Sequence, residues 1–168
     1  MARRAFSADP ACVFQPQLEQ SAGIPVLSRF LPRNLNVLLQ HSISIAVRYC
    51  ETDAMGFLHH ANYLNYFELG RTELFRAQGG SYRRMEELQM YFVVVKLQIQ
   101  YQKPARYDDQ LTLLTEIIRT TPARVEHRYR LMRDNELLCE ATSTVALIDG
   151  TGQLQRIPEN LNEIAALE

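Results

Sequence analysis

Apolar and polar positions alternate along much of the chain from Ser42 onward, and a period of two marks half-buried strands. Ile43, Ile45, Val47 and Tyr49 share one face of the first such segment, with Ser42, Ser44 and Arg48 on the other. After the loop from Cys50 to His59 the period changes. From about Ala61 to Ala77, Tyr63, Tyr66, Phe67 and Leu69, and later Leu74 and Phe75, form the wide apolar face of a helix. Gly79–Gly80 ends it, and Ser81 is placed to cap a second short helix from Ser81 to Leu88. Alternation then returns. Val95, Leu97, Ile99 and Tyr101 predict one strand, Leu111 to Ile118 another. Val125, His127, Tyr129 and Leu131 predict a third, Leu137 to Asp149 a fourth. The breaks fall at Lys103–Asp109 with Pro104, at Thr120–Ala123 with Pro122, and at the hairpin signal Asp134–Asn135.

The predicted order is strand, long helix, then four strands joined by short turns. That is an α+β architecture, with one helix against an antiparallel sheet. One helix leaves an edge strand and apolar surface over, which predicts dimerisation. Residues 1–40 read differently: Pro10, Pro16, Pro25 and Pro32 interrupt any regular element, and only Asn34 to Gln40 is a candidate helical turn. The chain thus divides into an N-terminal extension (1–40), a domain (41–157) and a tail (158–168) with the pattern of a short helix.

A length of 168 residues suits a single core. With 46% hydrophobic and 22% charged residues, the composition is that of an ordinary globular domain, and a net charge of −1 gives no strong pull towards nucleic acid or an anionic membrane. Cys12, Cys50 and Cys139 are widely spaced, which argues against a disulfide framework. His41, His59, His60 and His127 do not add the clustered ligands a structural zinc site needs, so no metal is expected. The longest apolar run, Met90 to Val95, falls far short of the ~20 residues of a membrane span. The opening residues lack the apolar core of a secretory signal, so a cytoplasmic location is expected.

The chemistry concentrates where the first loop enters the helix. Asp53 lies in an irregular loop ahead of a helix start, whose unpaired backbone N–H groups can polarise a carbonyl and stabilise an oxyanion. A carboxylate there can act as nucleophile or as general base on water. Gly56 removes a side chain where backbone and ligand can approach. These parts suit acyl transfer or hydrolysis. The same residues also fit a plain turn-forming Asp and a capping His.

The string "RYCETDAMGFLHHANYLNYFELGRTELFR" resembles the opening of the 4-hydroxybenzoyl-CoA thioesterase-like proteins of the hot-dog fold, and within them the Tol–Pal-associated acyl-CoA thioesterase branch. The matching positions include Tyr49, Glu51, Thr52, Asp53, Gly56, His60, Tyr63, Tyr66, Glu68, Arg71 and Glu73; a second block, "YQKPARYDD", matches at Tyr101 to Asp109. The resemblance runs from about Ser42 to Ile157. It implies a curved antiparallel sheet wrapped around one helix, homodimers that often assemble into tetramers, and hydrolysis of an acyl-CoA. No cofactor is implied, because coenzyme A arrives as part of the substrate. Asp53 is implied as the catalytic carboxylate, and His60 as the helix-start residue whose N–H polarises the thioester carbonyl. His59 stands where close relatives often carry an aromatic residue, which leaves open which imidazole faces substrate. Tyr63, Phe67 and Val94 are candidates for the wall of the acyl slot. Lys96 and Arg106, with Lys103, Arg119 and Arg124, are candidates to meet the coenzyme A phosphates. Three alternatives stand beside an acyl-CoA thioesterase: an enzyme acting on acyl groups carried by acyl carrier protein, a 3-hydroxyacyl thioester dehydratase, and a non-catalytic acyl-CoA binding module.

Overall fold

The computed structural model describes residues 40–159 together with Leu161, Ala165 and Ala166. The N-terminal extension, including the candidate turn at Asn34 to Gln40 apart from Gln40 itself, lies outside the described residues, as does most of the tail. Five strands form one sheet: β1 (Gln40–Ala46), β2 (Met90–Tyr101), β3 (Gln110–Thr120), β4 (Arg124–Arg133) and β5 (Glu136–Asp149). Their spatial order is β1-β3-β4-β5-β2, every pair antiparallel. Two helices complete the described part, α1 (His60–Ala77) and α2 (Tyr82–Glu87). The α+β order read from the alternation is therefore the order found. No described helix is long and apolar enough to cross a membrane.

Helix α1 packs on β1, β3 and β4, while α2 covers part of β2. The buried stripe of α1 runs Tyr63, Tyr66, Phe67, Gly70, Leu74, at the three- and four-residue steps of one helix face. Leu69 lies off that stripe and is 43% exposed, against the sequence expectation. Gly70 takes the inward position instead. A Cβ built on Gly70 would lie 2.4 Å from Thr115 Oγ1 and 2.7 Å from Leu113 Cδ2, so only glycine allows the helix this close to β3. Phe67 stacks on Tyr129 at 4.7 Å beside this contact. Burying a side chain of this size contributes about 1.5–3 kcal/mol, so the stripe is the main anchor of the helix.

Tyr49 is another departure. It continues the alternation of β1 in sequence, but the strand ends at Ala46, and Tyr49 is 78% exposed in a 3-10 turn (Tyr49–Glu51). The chain turns there because Val47 leaves the ladder with β3 and bonds with Asp108 and Asp109. On β2, Val95 and Tyr101 are also exposed. Val95 sits at a register shift between Val94 and Lys96, and β2 pairs only with β5 among the described residues. Its other edge is open.

Under the second half of α1 the sheet turns polar. Tyr129 and Ser143 share a 2.8 Å hydrogen bond. His127 is buried next to them with Nδ1 unpartnered among the described residues. Burial, then the nearby Arg71 cation, pushes its imidazole down to about 4.

Two outcomes are expected. Gly70→Ala should destabilise the fold by about 1–3 kcal/mol through overpacking against Thr115 and Leu113; an unchanged urea midpoint refutes the close-approach reading. Below about pH 6.5 the unfolded chain gains a proton at His127 that the folded chain refuses until about 4. Stability should therefore fall as pH drops through that window, by roughly 3 kcal/mol at most from this group. Urea midpoints at pH 7.5, 6.5, 5.5 and 4.5 should flatten in His127→Gln; an unchanged slope counts against it.

Candidate active site

Asp53 sits in a tight loop that closes on itself. Its backbone N–H donates to Phe57 O at 2.8 Å and its carbonyl accepts from Gly56 N at 2.9 Å. Gly56 has a φ of 76°, the left-handed region that favours glycine. The carboxylate is split in role. Oδ1 accepts from the N–H groups of Met55 (2.8 Å) and Phe57 (3.1 Å), whereas Oδ2 makes no hydrogen bond among the described residues. The turn-forming and the chemical readings of Asp53 are thus compatible: one oxygen builds the turn and the other is left open.

The far limb of the loop leads into α1. His59 is the N-cap, and its Nδ1 accepts from Ala61 N at 3.3 Å. Its ring lies 4.1 Å from that of His60. His60 is the first helical residue, and among the described residues its backbone N–H has no acceptor. An unpaired N–H at a helix start is the donor an oxyanion needs. The two imidazoles thus differ in place: His59 caps the helix, while His60 lines a cleft.

That cleft has a volume of about 320 Å³ and is lined by Asp53, Leu58, His60, Tyr63, Tyr101, Gln102, Lys103 and Pro104. Of the residues singled out from sequence, it joins Asp53, His60, Tyr63 and Lys103. Tyr63 is buried, and burial pushes its hydroxyl up to about 12, so it stays protonated. Phe67 does not line the cleft; it belongs to the core, stacked on Tyr129. Val94 and Lys96 lie on the open edge strand, both exposed. Arg106 places its guanidinium 4.5 Å over the Phe57 ring. Asp109 accepts from the Arg106 backbone N–H, and its ion pair is with Arg133. Lys103 lines the cleft and pairs with Glu136.

Sequence reasoning missed Tyr101, Leu58, Gln102 and Pro104. Tyr101 packs edge-on against Tyr63 at 5.0 Å, and its hydroxyl lies 3.5 Å from His60 O. The available signal was its place as the last residue of an alternating strand, just before the break at Pro104.

The profile of the thioesterase superfamily matches residues 55–140, half of the chain. The chain belongs to the thioesterase superfamily. The matched span begins just after Asp53, so it covers the helix and most of the sheet but not that carboxylate. An acyl-CoA thioesterase YbgC from Haemophilus influenzae is 39% identical over 64% of this chain and 80% of its own length. An acyl-CoA thioester hydrolase YbgC from Escherichia coli is 35% identical over 62% of this chain and 79% of its own. The crystal structure of a probable thioesterase from Bartonella henselae superposes with a TM-score of 0.68 at 31% identity, over 71% of this chain and 99% of that one. The superfamily fold, a five-stranded antiparallel sheet around a central helix, is the hot-dog fold expected from the sequence.

Proposed function

We propose that this member of the thioesterase superfamily hydrolyses an acyl-CoA thioester to the free acid and coenzyme A. One observation carries the assignment of the chemistry to this site. Asp53, with Oδ2 open, and His60, with its backbone N–H unpaired among the described residues, line the same cleft. The relatives named as acyl-CoA thioesterases support the substrate class.

In this reading the thioester carbonyl oxygen accepts from the His60 N–H, which meets it at the positive end of the α1 dipole. Asp53 then supplies the carboxylate. It attacks the carbonyl carbon to give an anhydride that water cleaves, or it takes a proton from the water that attacks. Both routes expel the thiolate of coenzyme A, which gains a proton, and both need Oδ2 open to the cleft. Leu58, Tyr63, Tyr101 and Pro104 form the less polar wall beside the reacting carbonyl. Lys103 is the cation of the cleft best placed for the charged carrier. Val94 and Lys96, on the open edge of β2, serve the site through a second copy of the chain, which pairs along that edge as a homodimer.

Two measurements test this. Thiol release should be seen from at least one of butyryl-, palmitoyl- and benzoyl-CoA, and Asp53→Asn should lower its rate at least about 100-fold. Release from a carrier-protein thioester alone would move the substrate class to that carrier, and binding without release would leave a binding module. Light scattering should give at least twice the chain mass. Val95→Lys, a charge on the open edge, should shift the mass towards monomer; a monomeric wild type ends the proposed edge pairing.

A further inference from the structure

Glu51 is a carboxylate only 3% exposed, two residues from Asp53, and nothing in the proposed chemistry uses it. Every acceptor it offers is taken. Oε2 accepts from the Tyr66 hydroxyl at 2.7 Å and from the Arg48 backbone N–H at 2.8 Å. Oε1 accepts from Arg48 Nε at 3.0 Å and Nη2 at 2.6 Å. Its backbone carbonyl accepts from His59 N and from Asn62 Nδ2, both at 2.8 Å. One residue thus grips α1 at three places: the cap, the first turn and the second turn.

The topology gives those bonds their meaning. The bond from His59 N to Glu51 O closes the loop that carries Asp53. The bond from Asp53 N to Phe57 O ties it again inside, and the two bonds together frame an antiparallel bridge between Thr52 and Leu58. Asp53 leaves Glu51 on one limb, and His60 follows the other limb into the helix. The separation between the open carboxylate oxygen and the unpaired N–H is therefore set by how Glu51 sits on the helix.

A buried carboxylate is an expensive filler, since an apolar side chain packs the same space without desolvating a charge. Burial by itself raises the Glu51 carboxyl, but the hydrogen bonds from Arg48 and Tyr66 outweigh it and hold the group ionised. The Arg48 side chain is 73% exposed, so its attraction is screened by water. The Tyr66 hydroxyl is buried, and its bond is the directional one.

We propose that Glu51 is a positioning residue that holds Asp53 in register with the His60 N–H through Tyr66 and Asn62. The proposal rests on the thioesterase reading of the site. Misplacing a reacting group by about 1 Å costs on the order of 100-fold in rate, so the signature is a loss in kcat with little change in KM.

The test uses thiol release from butyryl-CoA and benzoyl-CoA by the full chain. Tyr66→Phe keeps the ring and removes the hydroxyl; Glu51→Gln keeps the shape and removes the charge. Each should lower kcat about 10- to 100-fold with KM within about twofold. The double variant should be no slower than the slower single, because both break one linkage. Asn62→Ala, at the helix surface, should lower kcat in the same manner, and serves if a buried variant fails to fold by circular dichroism. Arg48→Ala should leave kcat within about threefold. Additive losses, or KM rising in step with the fall in kcat, overturn the proposal. So does an unaltered kcat in Tyr66→Phe and Asn62→Ala while Asp53→Asn is inactive. Full activity of Asp53→Asn, or a silent wild type, instead removes the thioesterase reading and this proposal with it.

Discussion

The approach of α1 to β3 at Gly70 sets the frame for the rest of the molecule. The inner face of the sheet is wide and mostly apolar, and one long helix lies across it. A side chain at position 70 would hold the two layers apart, because Thr115 and Leu113 already fill the space. With the layers in contact, Tyr63, Tyr66 and Phe67 reach the core cluster, and the helix axis is fixed against the strands. A fixed axis also fixes its first residue. His60, whose backbone N–H is unpaired among the described residues, then has a set position at the edge of the cleft.

The loop before the helix adds what the helix alone does not supply. Its nine residues from Glu51 to His59 are tied across by two backbone bonds that frame one antiparallel bridge, so Asp53 is presented from a closed ring rather than from an open tether. The two acids of this loop have opposite environments. Glu51 faces inward with all its acceptors occupied, whereas Asp53 keeps one oxygen open. A single short segment thus carries one fully bonded carboxylate and one with an open oxygen.

The strands and α1 were legible because their burial is periodic, and alternation at Val125 to Leu131 translated directly into inward-facing side chains. The helix start was legible from its capping pattern. What escaped the sequence was whatever depends on distance between elements. Gly70 carries no hydrophobic signal, so the stripe looked as though it passed through Leu69. Tyr49 kept the rhythm of β1 after the backbone had already turned away. Tyr101 reaches the cleft only because the end of β2 returns beside the start of α1, 41 residues apart in sequence. That Asp53 and His60 meet at one cleft was legible because they lie seven residues apart in one segment, where sequence proximity and spatial proximity coincide. Phe67, by contrast, was read as pocket wall because an inward aromatic looks the same from sequence whether it meets a ligand or Tyr129.

The unequal use of the two Asp53 oxygens bears on how such a protein drifts over generations. Oδ1 shapes the turn, and an asparagine side chain offers an oxygen in the same place. Either aspartate codon becomes an asparagine codon by one base change. A lineage can thus lose the carboxylate while keeping the turn, the cap and the cleft. Selection on folding alone would not see the difference. Under the chemistry proposed for Asp53, a silent descendant lies one mutational step from a hydrolytic ancestor, and the return path is equally short.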